Sequence, residues 1–241
     1  MNIQYEIWTD IGDREQNEDY VEIRQEKKGV LAVVADGLGG HEKGEIASKL
    51  VTTTMMKEIN FDSDDYEIEL HRIMQRAQEA LIELQQKETK IDAMKTTGVS
   101  LLINSKTAYL GHIGDSRGYI FYKSGKIERT NDHSVPQMLF LSGALKEKQI
   151  RYHEDRNKLL RVFGMKWEKD ACELKPPIDI RKVKAFLLCT DGFWELIDEK
   201  QMRKCLWFST TPKQWMERMI KIIKCKKELK DNCTAITIFI R

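Results

Sequence analysis

The stretch Val33–Ser48, VVADGLGGHEKGEIAS, passes from small apolar residues to an aspartate and then to three glycines within four positions. Glycines after a buried strand suit a phosphate cradle, whereas an aspartate in that place suits a metal. A P-loop needs G-x-x-x-x-G-K-[ST], but Glu45 follows Gly44 here. A dinucleotide fingerprint would need glycine at position 42, which is Glu42. The turn therefore presents its acid. Gly37 can expose a carbonyl, and Gly39 and Gly40 let the chain double back without strain.

Outward from this turn, short apolar runs read as covered strands: 30–35, 99–103, 108–113, 118–122, 185–190 and 235–240. Helical patterns fall between them. Leu70, Ile73, Ala77, Leu81 and Leu84 recur at three- and four-residue steps within 66–88, and residues 44–59 form a second helix. A third follows Pro212, with Trp215, Met219, Ile222 and Ile223 inward and Thr210 or Thr211 as its cap. These stripes are core. The order lacks regular βαβ alternation, so the class is α+β, with helices covering largely antiparallel sheets.

Acids gather where these strands end. Asp36, Asp115 and Asp191 follow apolar runs, Asp231 precedes the last one, and Glu18-Asp19 precedes YVEI. An acid after one strand and an acid before its antiparallel neighbour share one sheet edge. Clustered carboxylates resist ionising unless a cation sits among them. Oxygen donors without a Cys/His set point to Mg²⁺ or Mn²⁺.

The 241 residues carry 41% hydrophobic and 32% charged side chains with a formal charge of +2, which describes a soluble globular chain without a global field for nucleic acid or anionic membrane. No apolar run spans a bilayer, and the first residues do not resemble a signal peptide, so the expected location is cytoplasmic. The five cysteines never form C-x-x-C and read as reduced, mostly buried thiols. A monomer is expected.

In these blocks, and in TDIGDREQNEDY (9–20), TTGVSLLI (96–103), GHIGDSRGYIF (111–121), TNDHSVPQML (130–139), LLRVFG (159–164), LLCTDGFWELI (187–197) and DNCTAITIFI (231–240), the chain resembles the PP2C (PPM) metal-dependent Ser/Thr protein phosphatases in their compact bacterial form. The resemblance implies a β-sandwich of two mainly antiparallel sheets flanked by helices, an αββα arrangement in a single domain over 1–241. A flap-like insertion at about 132–158 would border the site. It also implies two core ions, Mn²⁺ or Mg²⁺, and a third, weaker one. Asp36 would bridge the core ions and the Gly37 carbonyl would bind one. Asp191 and Asp231 would complete that ion's ligands, Glu18 and Asp19 would serve the other, Asp115 would hold the third, and Arg14 would hold the substrate phosphate. A metal-bridging water or hydroxide would attack phosphoserine or phosphothreonine on proteins, reversing a Ser/Thr kinase that is the expected partner.

The animal branch carries a histidine after the first Asp-Gly, where this chain has Leu38. His41 is read as a structural turn residue, His133 as a hydrogen-bonding one, and Trp194 as packing at the outer edge of the site. Two rivals remain: a catalytically dead phosphatase-like binding module, and a metal-dependent enzyme acting on phosphodiesters or nucleotides.

Overall fold

The computed structural model describes residues 3–38, 43–87, 94–167, 171–226 and 229–240. Gly39, Gly40 and His41 lie outside the described residues. Two sheets pack face to face. One runs β1 (Ile3–Asp10), β12 (Cys233–Ile240), β11 (Val183–Cys189), β7 (Arg117–Tyr122), β8 (Ile127–Arg129). The other runs β10 (Ile178–Asp179), β6 (Thr107–Ile113), β5 (Gly98–Ile103), β3 (Val30–Leu38), β2 (Asp19–Gln25), with β4 (Lys95–Thr96) on β3 and β9 (Glu173–Leu174) on β6. The pairings within both sheets are antiparallel.

The two-residue period of a strand sends successive side chains to opposite faces, and β3 spends both faces on cores. Leu31 and Val33 pack under α1 (Lys43–Glu58) and α2 (Tyr66–Lys87), while Ala32 and Val34 enter the core between the sheets. On the other sheet, Phe186 and Leu188 face that same inner core. Ala185, Leu187 and Cys189 face α6 (Glu199–Trp207) and α7 (Pro212–Cys225). Helices, sheet, sheet, helices: the αββα layering follows from these alternations.

The structure departs from the sequence reading in particular places. The apolar Tyr5 and Ile7 of β1 are exposed, so its alternation does not mark it as a covered strand. α6 is nine residues, buries Met202, Cys205 and Leu206 on its inner face, and is otherwise polar except for the exposed Trp207 at its end. On α2 the buried position near the C-terminus is Gln85 rather than Leu84. The Gln85 amide donates to the carbonyls of Met94 (2.6 Å) and Gly164 (2.9 Å). The strand over 185–190 ends at Cys189, and Thr190 becomes the N-cap of the short α5 (Asp191–Trp194). Thr211 caps α7, its side chain accepting from the Gln214 amide at 3.2 Å.

All five cysteines are free. Cys189, Cys205 and Cys233 are buried, Cys172 is half-buried and Cys225 is exposed. No helix among the described residues is long and apolar enough to cross a membrane.

Candidate functional site

Register brings the acids together. Asp19 opens β2 directly opposite Asp36 on β3, and Asp191 starts α5 just beyond the end of β11. β11 pairs with β12, which Asp231 precedes, and with β7, which Asp115 precedes. All these residues therefore leave the sandwich at one edge. Asp36 feels Asp191, Asp19, Asp115 and Asp231, and burial followed by these charges raises its pKa well above the usual carboxylate range. Asp115 is raised by burial and then by Asp191. Asp191 is raised by burial and then by Asp231. Burial pushes Asp19 up to about 7, and it raises Glu18 as well. Together they form a set of carboxyls whose ionisation burial and mutual repulsion resist.

The backbone beneath them is tightly held. The Asp36 amide donates to Thr97 Oγ1 (3.1 Å), its carbonyl accepts from the Thr97 amide (2.9 Å), and Thr97 Oγ1 meets Ser116 Oγ at 2.7 Å. Thr190 Oγ1 donates to Asp19 Oδ2 at 3.0 Å. Asn232 ties the loop before β2 to the start of β12. Its amide donates to the carbonyls of Ile11 (2.9 Å) and Gln16 (3.0 Å), and its Oδ1 accepts from the Glu18 amide (2.8 Å). Gly12, at φ +62°, lets this loop cross: a Cβ there would lie 2.3 Å from the Asp231 carbonyl oxygen. Thr190 and Asn232 are site-building residues that strand-end spacing does not reveal, although both lie within motif blocks.

Two observations fit this edge to a cation. Asp19 Oδ1 is buried and has no hydrogen-bond partner, so half of a carboxylate in this cluster is left uncompensated. Gly37 packs so closely that a Cβ would lie 2.2 Å from the Gly44 carbonyl oxygen and 2.7 Å from that of Glu18. The donors are all oxygens, as hard divalent ions such as Mg²⁺ and Mn²⁺ require.

Arg14 reaches the same edge, where its Nη2 donates to Asp231 Oδ2 at 2.8 Å with both side chains about half exposed. That hydrogen bond, more than the charge attraction accompanying it, raises the Arg14 pKa.

Trp194 is buried beneath the edge rather than placed at its rim. Its indole N–H donates to the Asp115 carbonyl at 3.0 Å, and the Arg117 guanidinium carbon lies 3.4 Å from its ring centroid. Arg117 in turn forks onto Asp132 at 2.8 and 2.6 Å, a buried pair that holds the Asp132 carboxyl below its usual range despite burial. Asp132, His133 and Ser134 are themselves buried, so the 132–158 segment begins inside the core.

Within that segment Ser142 and Gly143 (φ +81°) separate α3 (Val135–Leu141) from α4 (Glu147–Ile150). It is tied to the site by Arg156 Nε donating to Glu195 (2.7 Å) and Arg151 donating to the Ile197 carbonyl (3.2 Å) and Glu199 (3.3 Å). Burial pushes Glu195 up to about 7.

His133 does hydrogen-bond the turn: its Nδ1 accepts from the Gly114 amide at 3.2 Å. With that lone pair taken, Nε2 carries the proton and faces Glu173 Oε2 at 3.5 Å. His112, stacked 4.7 Å away, donates from Nε2 to the Asn131 carbonyl (2.6 Å), and burial lowers its pKa to about 4. The His112–His133–Glu173 trio has the spacing of a metal site, but the Gly114 bond already uses the lone-pair nitrogen of His133. The trio secures the turn that presents Asp115.

The chain is 27% identical over 199 residues to the serine/threonine phosphatase stp of Listeria innocua, covering 80% of this chain and 78% of that protein. The crystal structure of the serine/threonine phosphatase Stp1 from Staphylococcus aureus, 26% identical, superposes with a TM-score of 0.89 over 100% of this chain and 96% of that one. The catalytic domain of PstP in complex with two manganese ions shares the fold at 23% identity, with a TM-score of 0.80 over 98% and 97%. Residues 10–231 match the protein phosphatase 2C family, a span that takes in every acid of the site together with Arg14, and the chain belongs to that family.

Proposed function

We propose that the chain is a divalent-metal-dependent phosphatase that removes phosphate from phosphoserine and phosphothreonine on proteins, reversing a Ser/Thr kinase. The observation that carries this reading is the meeting of Asp19, Asp36, Asp115 and Asp191 at one edge, each carboxyl raised chiefly by burial. Its family and the names of its relatives point the same way. Asp36, the Gly37 carbonyl, Asp191 and Asp231 would hold one ion, Glu18 and Asp19 a second shared with Asp36, and Asp115 a third. Bound there, divalent cations supply the Lewis acidity that lowers the pKa of water and offsets phosphoryl charge.

The chain's own groups do the rest. Arg14 donates to Asp231 from Nη2; once Asp231 is engaged elsewhere, the guanidinium fork can turn to the substrate phosphate, which it matches in geometry. Thr190 and Thr97 hold Asp19 and the Asp36 backbone in place. Residues 132–158 border the edge as a substrate-facing flap within one catalytic domain, anchored through Arg151 and Arg156.

The deciding experiment is phosphate release from a phosphothreonine peptide with EDTA, Mg²⁺ or Mn²⁺. Release that requires the cation and is lost in Asp36→Asn supports the proposal. Peptide binding without turnover would favour a binding module, and turnover confined to phosphodiesters would favour the other rival.

A further inference from the structure

Far from the carboxylate edge, the turn joining β7 to β8, the start of β11 and the length of α6 enclose a surface cavity of about 650 Å³. Six cations line it, Lys123, Lys126, Lys184, Lys200, Arg203 and Lys204, and no acid does. Among the described residues only Lys126 of the six forms an ion pair, with Glu128. At its rim Trp207 and Phe208 are consecutive and exposed by 76% and 60%, and Lys184 Nζ lies 5.9 Å from the Trp207 ring centroid. The cationic surface continues onto α7, where Lys204 and Phe208 also border Arg218 and Lys221, with Glu217 beside them. In a chain of net charge +2, eight cations thus adjoin one another on this side.

We propose that this face docks the protein on an anionic lipid bilayer. Adjacent exposed aromatics ringed by lysines match a membrane interface, where amphipathic rings settle at headgroup depth and cations meet anionic lipid. The cations come from three separate elements, and beyond the cavity the cationic surface runs on to Arg218 and Lys221 of α7. That arrangement suits the diffuse charge of a bilayer better than the directional contacts of a peptide. β7 runs from Arg117, beside the carboxylate edge, to Tyr122, beside this face, a separation of about 17 Å at 3.3 Å per residue. Docking would therefore leave the catalytic edge facing away from the lipid.

The test is sedimentation of the full chain with vesicles of phosphatidylcholine alone and of phosphatidylcholine mixed with phosphatidylglycerol. We expect binding to the mixed vesicles only, weakened by added salt. Trp207→Ala/Phe208→Ala and Lys200→Glu/Lys204→Glu should each weaken it by about tenfold or more. Trp207 is the one exposed tryptophan of the five, so its emission should shift to the blue and become shielded from acrylamide on binding. Because these residues are exposed, the variants should keep the thermal melt and the peptide hydrolysis of the parent, which separates failed docking from failed folding. Equal binding to both vesicle types, no binding to either, or unchanged binding by the aromatic variant would overturn the proposal. Capture of a polyglutamate peptide with no response to vesicles would overturn it too, in favour of an acidic protein partner.

Discussion

Asp36 sits inside β3, opposite Asp19, on a backbone pinned by Thr97. Divalent cations that Asp36 would hold there would supply several kcal/mol of transition-state charge stabilisation. Asp36→Asn should therefore lower kcat about a hundredfold or more, at 1.36 kcal/mol per tenfold. The same change removes a group whose ionisation the fold resists. In EDTA at about pH 8 the variant should melt no lower than the parent, because less charge is buried; a clear drop in its melting temperature would mean Asp36 is needed for packing. Arg14→Ala should act on substrate instead. A hydrogen bond to a charged group contributes about 1.5–3 kcal/mol, so KM for a phosphopeptide should rise about tenfold or more while the cation concentration for half-activation changes little. An unchanged KM would place the phosphate elsewhere.

At the scale of elements, α2 illustrates what a helical period does and does not tell. Leu70, Ile73, Ala77 and Leu81 are buried as their spacing requires, yet the helix also buries Gln78 and Gln85. Gln78 accepts from the Gly164 amide (2.8 Å) and donates to the Met165 carbonyl (2.7 Å). The two glutamines thereby fasten a distant loop to the helix. Gln85→Leu would leave the carbonyls of Met94 and Gly164 without this donor, at a cost of about 1–3 kcal/mol. In a chain of this size that is a fall of about 2–4 °C in melting temperature for each kcal/mol. An unchanged melt would show that water replaces the amide. Such a contact depends on which loop reaches the helix, which no periodicity encodes.

For the whole molecule, the buried acids set a pH dependence. A carboxyl whose pKa is raised by folding keeps its proton where the unfolded chain has lost it, so stability falls as pH climbs toward the raised value. Asp19 and Glu195 at about 7, with Asp36, Asp115 and Asp191 also raised, all act in this direction. His112, lowered from 6.5 to about 4, acts oppositely, but only below its ordinary value. Between about pH 6.5 and 8 the EDTA-treated protein should lose thermal stability with rising pH, and Mn²⁺ should restore it most at the upper end. A melting temperature that rises across that range in EDTA would contradict this account.

The sequence by itself determined the αββα class, because strand and helix periods are local and the family's blocks run collinearly along the chain. It also marked the acids, because strand ends in antiparallel neighbours must share an edge. Only the tertiary structure decided that Trp194 lies beneath Asp115, that Asn232 and Thr190 build the edge, and that six cations and two aromatics from separate elements form one face. Those are meetings between segments far apart in the chain, and composition, which gave only a charge of +2, averages them away.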